Sequence, residues 1–248
     1  MLVDYSSDSD QEGVKNQNKN PPQLPAQFKP NTPNDDPAQH QGRTRSRPFM
    51  EGVYWSHVQL SVPLEYTFKS ILKEIHNKLH STYSSLHSLY PSDDDEDGDG
   101  YLSLSRPLAL RHHQLGTFVG QVKDICKQQT SITISFSNLS VLYNDNKTRA
   151  FIVMPVVAGY TELRGLLERI DTGPVSDHHQ EPYYHPPIFH VSIAWSLTSD
   201  LHSLDAFEEV VAQVSQLYQR RLRMAGAVDC SIVNVKIAKN VHSFELSG

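Results

Sequence analysis

Cysteine is scarce in this chain: two residues in 248, Cys126 and Cys230. That excludes a disulfide scaffold and a cysteine-based zinc cluster, and both read as reduced thiols of an intracellular protein. Long apolar runs are missing as well. No stretch reaches the ~18 apolar residues that crossing a bilayer takes, so no membrane partner is expected. The first residues, Met1-Leu2-Val3-Asp4-Tyr5, have neither a basic start nor an apolar stretch behind it, so no secretory signal is expected. Regular metal spacing is lacking too. His178, His179 and His185 crowd one loop without a ligand interval, and the run Asp93–Asp99 lacks the ligand order of a calcium loop. No metal and no cofactor is expected.

Charge of one sign is concentrated rather than general. The formal net charge is −6. Residues 1–40 carry six acids and three lysines, and Asp93–Asp99 carries six acids more; the remainder holds 16 acids against 19 bases. The body of the chain is therefore mildly basic, which permits contact with a phosphate backbone.

Residues 1–47 are rich in Asn, Gln, Pro, Asp and Ser and poor in apolar side chains. Such a segment buries too little surface to offset its chain entropy, which predicts a disordered tail ending in the basic cluster Arg43-Thr44-Arg45-Ser46-Arg47. Residues 48–248 are expected to form one domain, with an acidic surface insertion over 91–100. Alternation predicts a strand at 57–62, and Phe68, Ile71, Leu72, Ile75 and Leu79 predict a helix over 66–81. A strand at 101–105, a helix over 108–128, strands at 131–143 and 148–158, and a helix over 160–171 follow. A loop at 172–187, a strand at 188–196, a helix over 203–223, and strands at 230–238 and 241–246 close the chain. Twice a short strand with polar residues two apart leads into a long amphipathic helix, which suggests a pseudo-twofold α+β fold.

The second of these strands is Phe189-His190-Val191-Ser192-Ile193-Ala194-Trp195. Residues two apart share a strand face, so His190 and Ser192 point together while Phe189, Val191 and Ile193 point into the core. An imidazole titrates near neutrality and moves protons, and a hydroxyl beside it can hold a phosphate oxygen. With 13 histidines and serine at about a tenth of the chain, one His-x-Ser is expected by chance, so the tripeptide alone equally fits a strand histidine with a structural partner. In the other half, Tyr101, Ser103 and Ser105 share a face of Gly100-Tyr101-Leu102-Ser103-Leu104-Ser105.

Four stretches taken together are more specific. Gly42-Arg43-Thr44-Arg45, the segment from Ser103-Leu104-Ser105 to Arg111-His112-His113, Asn146-Lys147-Thr148-Arg149-Ala150-Phe151-Ile152, and the His190 strand occur in this order. With them the chain resembles the phosphodiesterase family that trims the 3′ end of spliceosomal U6 small nuclear RNA, within the 2H phosphoesterase superfamily. The resemblance implies an α+β fold of two pseudo-twofold-related lobes, each an antiparallel sheet with helices outside, around a central cleft. It implies a metal-free 3′–5′ RNA exonuclease, nuclear, acting on the uridine-rich 3′ end of U6 RNA; a monomer is the default expectation. The chain end left behind would be a 2′,3′-cyclic phosphate or its opened form.

Each lobe of that family gives one His-x-Ser. Here the second motif is complete as His190 and Ser192, but Tyr101 stands where the first histidine belongs, with Ser103 alone retained. The resemblance assigns catalysis to His190 (base) and position 101 (acid). It assigns phosphate contact to Ser103 and Ser192, and stacking on the terminal base to Tyr184 in Pro182-Tyr183-Tyr184-His185-Pro186-Pro187. A phenol has a reference pKa near 10, so Tyr101 is a hydrogen-bond donor at pH 7 and a poor base. Two readings follow: an exonuclease slowed by Tyr101, or a protein that grips an RNA 3′ end and turns over little. A loop tyrosine packed on its own prolines remains the plain alternative for Tyr184.

Overall fold

Alternation in the sequence becomes pairing in the structure, a computed structural model that describes residues 36–42, 49–89 and 99–247. Most of the expected tail and of the acidic insertion lies outside these residues. Eleven strands form one curled sheet: β1 (Val53–Val62), β2 (His87–Ser88), β3 (Gly100–Ser103), β4 (Leu108–Arg111), β5 (Ile132–Phe136), β6 (Ser140–Tyr143), β7 (Arg149–Ala158), β8 (His190–Leu197), β9 (Ala227–Cys230), β10 (Ile232–Ile237) and β11 (Asn240–Glu245). The order is β11-β10-β1-β3-β8-β7-β5-β9, with β4 on β1, β2 on β8 and β6 on β7. Every named strand pair is antiparallel. Two halves meet at the β3–β8 junction, which puts the two polar strands singled out in the sequence side by side.

Four α-helices cover the sheet among the described residues: α1 (Tyr66–His80), α2 (His112–Cys126), α3 (Tyr160–Ile170) and α4 (Leu204–Met224). The apolar stripe of α1 is buried as its spacing predicts, and Lys78 and His80 sit at the last turn, where the helix dipole favours cations. In α4 the Ser203 hydroxyl caps the Ala206 N–H at 3.3 Å. α1 packs on α4, α4 on β5 and β6, and α2 on β4, β10 and β11. Phe68 of α1 is 1% exposed and meets the Phe136 ring of β5 edge-on at 6.0 Å. Phe68→Ala is expected to cost about 3–5 kcal/mol in urea unfolding; a loss below about 1 kcal/mol would mean that the contact is not a core contact.

The structure redraws four expected elements. Residues 108–111 are a strand on Val53–Ser56 rather than the first turn of a helix. Leu108 and Leu110 fit a period of two as well as a helical stripe, and the helix starts only where Gln114 accepts the Arg111 N–H at 2.8 Å. The single strand expected at 131–143 is broken at 137–139, where the Leu139 N–H turns to the Ser215 hydroxyl of α4. The strand expected at 230–238 starts at 232 as β10, and Ala227–Cys230 before it is a separate strand, β9, where none was expected. β9 pairs with β5 in one half, and β10 pairs with β1 in the other. The loop expected at 172–187 begins as a π-helical turn, Asp171–Val175, continuing α3. Gly159, between β7 and α3, has φ +85°, and a Cβ there would lie 2.4 Å from the Thr133 carbonyl oxygen, so no other residue fits.

Candidate active site

Leu102 of β3 lies opposite Val191 of β8, and both are fully buried. In an antiparallel pair this register sets Tyr101 beside Ser192 and Ser103 beside His190, all four on the face turned away from the core. Directly opposed Cβ atoms are about 4.5–5.5 Å apart and diagonal ones about 7–8 Å. Tyr101 and His190 are such a diagonal, with the two serines on the other. The two strands thus bring together a phenol, an imidazole and two hydroxyls at the spacing of a single phosphate group.

His190 Nδ1 lies 2.7 Å from the Ile188 carbonyl oxygen. A carbonyl only accepts, so Nδ1 carries the hydrogen and Nε2 of the neutral ring keeps its lone pair. Burial holds the imidazole below its ordinary pKa of 6.5, and the Ile188 hydrogen bond only partly offsets this. The ring is neutral at pH 7 and able to take a proton at Nε2. Tyr101 is 46% exposed as a whole, yet the protein around its phenol desolvates the oxygen enough to raise the pKa above the ordinary 10. It holds its proton at any physiological pH. The pair therefore rests as one acceptor and one donor, both uncharged.

Tyr184 lies in the segment that leads into β8, six residues before His190. The Arg106 guanidinium lies over the Tyr184 ring at 3.9 Å, and Arg106 also pairs with Glu181 at 2.9 Å. The Tyr184 hydroxyl donates to Asp145 at 2.9 Å. Its neighbour Tyr183 packs against Phe189, one residue before His190. Tyr184 is thus a fixed ring, 40% exposed, with one face taken by a cation. Its neighbours include an arginine and an aspartate distant in sequence and the ring of Tyr183 at 5.3 Å. His178 is buried, bonded through Nδ1 to the Pro174 carbonyl and set edge-on against Phe118, which is a structural role. Among the described residues no group of three His, Cys, Asp or Glu is placed to hold a metal. No helix among them is long and apolar enough to cross a membrane.

Sequence reasoning missed what surrounds the four central side chains. Gln59 lies directly beside Ser103, and Ser61 beside Tyr101, on the same face. Ser61 donates to Asp99 at 2.9 Å. The alternation His57-x-Gln59-x-Ser61 was visible in the sequence, but which strand it would face was not.

The family described as "HVSL: Uncharacterised conserved protein" matches residues 21–245. A Mus musculus protein named U6 snRNA phosphodiesterase 1 is 25% identical over 207 residues, covering 82% of this chain and 74% of that one. Drosophila melanogaster and Rattus norvegicus proteins of the same name are 28% and 26% identical over 162 and 163 residues. Those matches cover 65% and 66% of this chain, and the chain spans 59% and 58% of the length of those relatives. Two structures of Kluyveromyces marxianus Usb1, one with uridine monophosphate, superpose with TM-scores of 0.57 and 0.58 at 15% identity. Each covers 77% of this chain and 98% of that one, and the likeness establishes the fold.

Proposed function

Because the chain belongs to the HVSL family, we propose that it is a phosphodiesterase acting on the 3′ end of U6 RNA, with Tyr101 and His190 as its proton-transfer pair. The observation that carries the proposal is the Leu102–Val191 register, which sets two hydroxyls and two proton handlers on one face. The names of the curated relatives support the substrate. A U6 substrate puts the proposed activity in the nucleus.

In this reading His190 Nε2 takes the proton of a ribose 2′-OH, whose oxygen attacks the adjacent phosphorus. The bond to the 5′ oxygen of the last nucleotide breaks, and the Tyr101 phenol gives that oxygen its proton. The last residue leaves as a nucleoside with a free 5′-OH, and a 2′,3′-cyclic phosphate ends the shortened chain. Ser103 and Ser192 hold the non-bridging phosphate oxygens. The attacker belongs to the substrate, so proximity supplies much of the acceleration. Each turnover leaves a phenolate and an imidazolium, and the proton must return to Tyr101 before the next. A phenol whose pKa lies above 10 gives up its proton reluctantly, so we propose a slow enzyme.

A 5′-labelled oligouridine incubated with the protein tests this. Stepwise shortening with cyclic phosphate ends is expected, and no shortening by either the natural chain or Tyr101→His would sink it. Tight binding without shortening by the natural chain would favour the 3′-end-binding reading. Tyr184 is proposed as the stacking platform for the terminal base. Tyr184→Ala is expected to weaken binding of a uridine-ended oligonucleotide by about 1–3 kcal/mol. Tyr184→Phe should lose little, since it keeps the ring and gives up the bond to Asp145. Unchanged affinity in Tyr184→Ala, read by fluorescence anisotropy, would remove the ring from the site.

A further inference from the structure

The row of side chains through His190 and Ser103 does not stop at the junction of the two halves. Gln59 is opposite Ser103, Asn234 opposite Gln59, and Ser243 opposite Asn234, so one polar line crosses β8, β3, β1, β10 and β11. One pair further along the same face, Lys236 is opposite His57. Strands are about 4.8 Å apart, so the line from His190 to Asn234 covers roughly 14 Å, longer than a single phosphate or ribose. On the other side of His190 the same face offers Pro155 opposite His190, with Val153 and Val157 flanking it along β7, none of which carries a side-chain donor or charge.

Two observations say that the line is more than a solvated sheet face. Asn234 Oδ1 is buried and has no hydrogen-bond partner, a condition that costs about 1–3 kcal/mol until a donor arrives. Lys236 is exposed, and its ammonium bears on His57. Burial holds the His57 ring below its ordinary pKa, hydrogen bonds to the Ser105 carbonyl and the Gln59 amide pull it back, and Lys236 presses it down again. Amides, an unsatisfied acceptor and one cation in a line match a single-stranded polynucleotide. Amides meet base edges or 2′-hydroxyls, and an ammonium meets a phosphate.

We infer that Gln59, Asn234 and Lys236 form a subsite for the RNA nucleotides on the 5′ side of the scissile phosphate. The inference rests on the phosphodiesterase reading and adds to it the path by which the uncleaved chain leaves the centre. Over Val153, Pro155 and Val157 of β7 the chain would find apolar side chains; over β1 and β10 it finds partners for its bases and its backbone.

The test uses 2′-O-methylated oligouridylates of two and of six residues, which cannot be cleaved by 2′-oxygen attack, in titrations across a salt series. The natural chain is expected to bind the longer one at least about tenfold tighter. Lys236→Ala should remove most of that gain, lower the slope of log affinity against log salt by about 0.7, and leave the dinucleotide affinity unchanged. Asn234→Ala should reduce the gain without changing the slope. Lys236 is exposed, so its truncation keeps the fold. Equal affinity for both lengths in the natural chain, or equal weakening of both by Lys236→Ala, overturns the subsite and leaves the phosphodiesterase reading standing. If neither oligonucleotide binds, the phosphodiesterase reading falls and takes the subsite with it.

Discussion

Replacing Tyr101 with histidine is expected to raise the rate of oligouridine shortening at pH 7 by about 10²–10⁴-fold, the usual worth of one general acid or base. The reason lies in proton affinities. The Tyr101 phenol holds its proton above the ordinary 10, so it gives the leaving oxygen a hydrogen bond readily and a full proton reluctantly. An imidazole at the same place, beside Ser192 and diagonal to His190, can be protonated near neutrality and recharged from water within each cycle. The pH profile carries a second signature. In the natural chain, activity rises with pH as His190 is deprotonated, below the ordinary 6.5, and stays level until Tyr101 ionises above 10. In Tyr101→His the acid is an imidazolium, so activity falls again on the alkaline side of neutrality and the advantage of the variant shrinks by pH 9. An increase under about tenfold at pH 7, or a profile that keeps its alkaline plateau, would show that position 101 does not transfer the proton.

His190→Gln is expected to have the opposite effect of similar size, lowering the shortening rate by about 10²–10⁴-fold while leaving oligonucleotide affinity within about twofold. Glutamine fills much of the imidazole's space and can still hydrogen-bond a ribose, but it has no lone pair able to accept a proton near neutrality. The loss should therefore fall on kcat rather than on KM. The same substitution in Tyr101→His should return that variant to the low rate, because two proton handlers acting in one step are not additive. A KM rise with kcat preserved would reassign His190 to binding. A shortening rate unaffected by either change would place the chemistry elsewhere in the molecule.

The strand faces were legible in the chain itself. Leu102 and Val191 are apolar neighbours of polar residues, and a period of two leaves Tyr101, Ser103, His190 and Ser192 turned away from the core. The apolar stripes of α1, α3 and α4 were equally plain, since each repeats at helical spacing without a competing pattern. Ambiguity arose where two periods fit the same residues. Leu108 and Leu110 satisfy both a helix and a strand, and only the free edge of β1 at Val53–Ser56 decides between them. Ala227–Cys230 was not expected as a strand, and only its pairing with β5, in the other half-sheet from β10, makes it one.

What the sequence determined by itself was the chemistry on offer: the residue types, their local faces, and a phenol at the position where the resemblance implies an imidazole. The tertiary structure decided which of them meet. The one-residue register between β3 and β8 sets the diagonal of Tyr101 and His190, Arg106 covers Tyr184 from the opposite half, and β10 brings Asn234 and Lys236 to the edge of the site from more than 130 positions beyond Tyr101. Local spacing carries no information about partners so far along the chain, because sheet register is fixed by the burial of whole faces rather than by any residue's own neighbours.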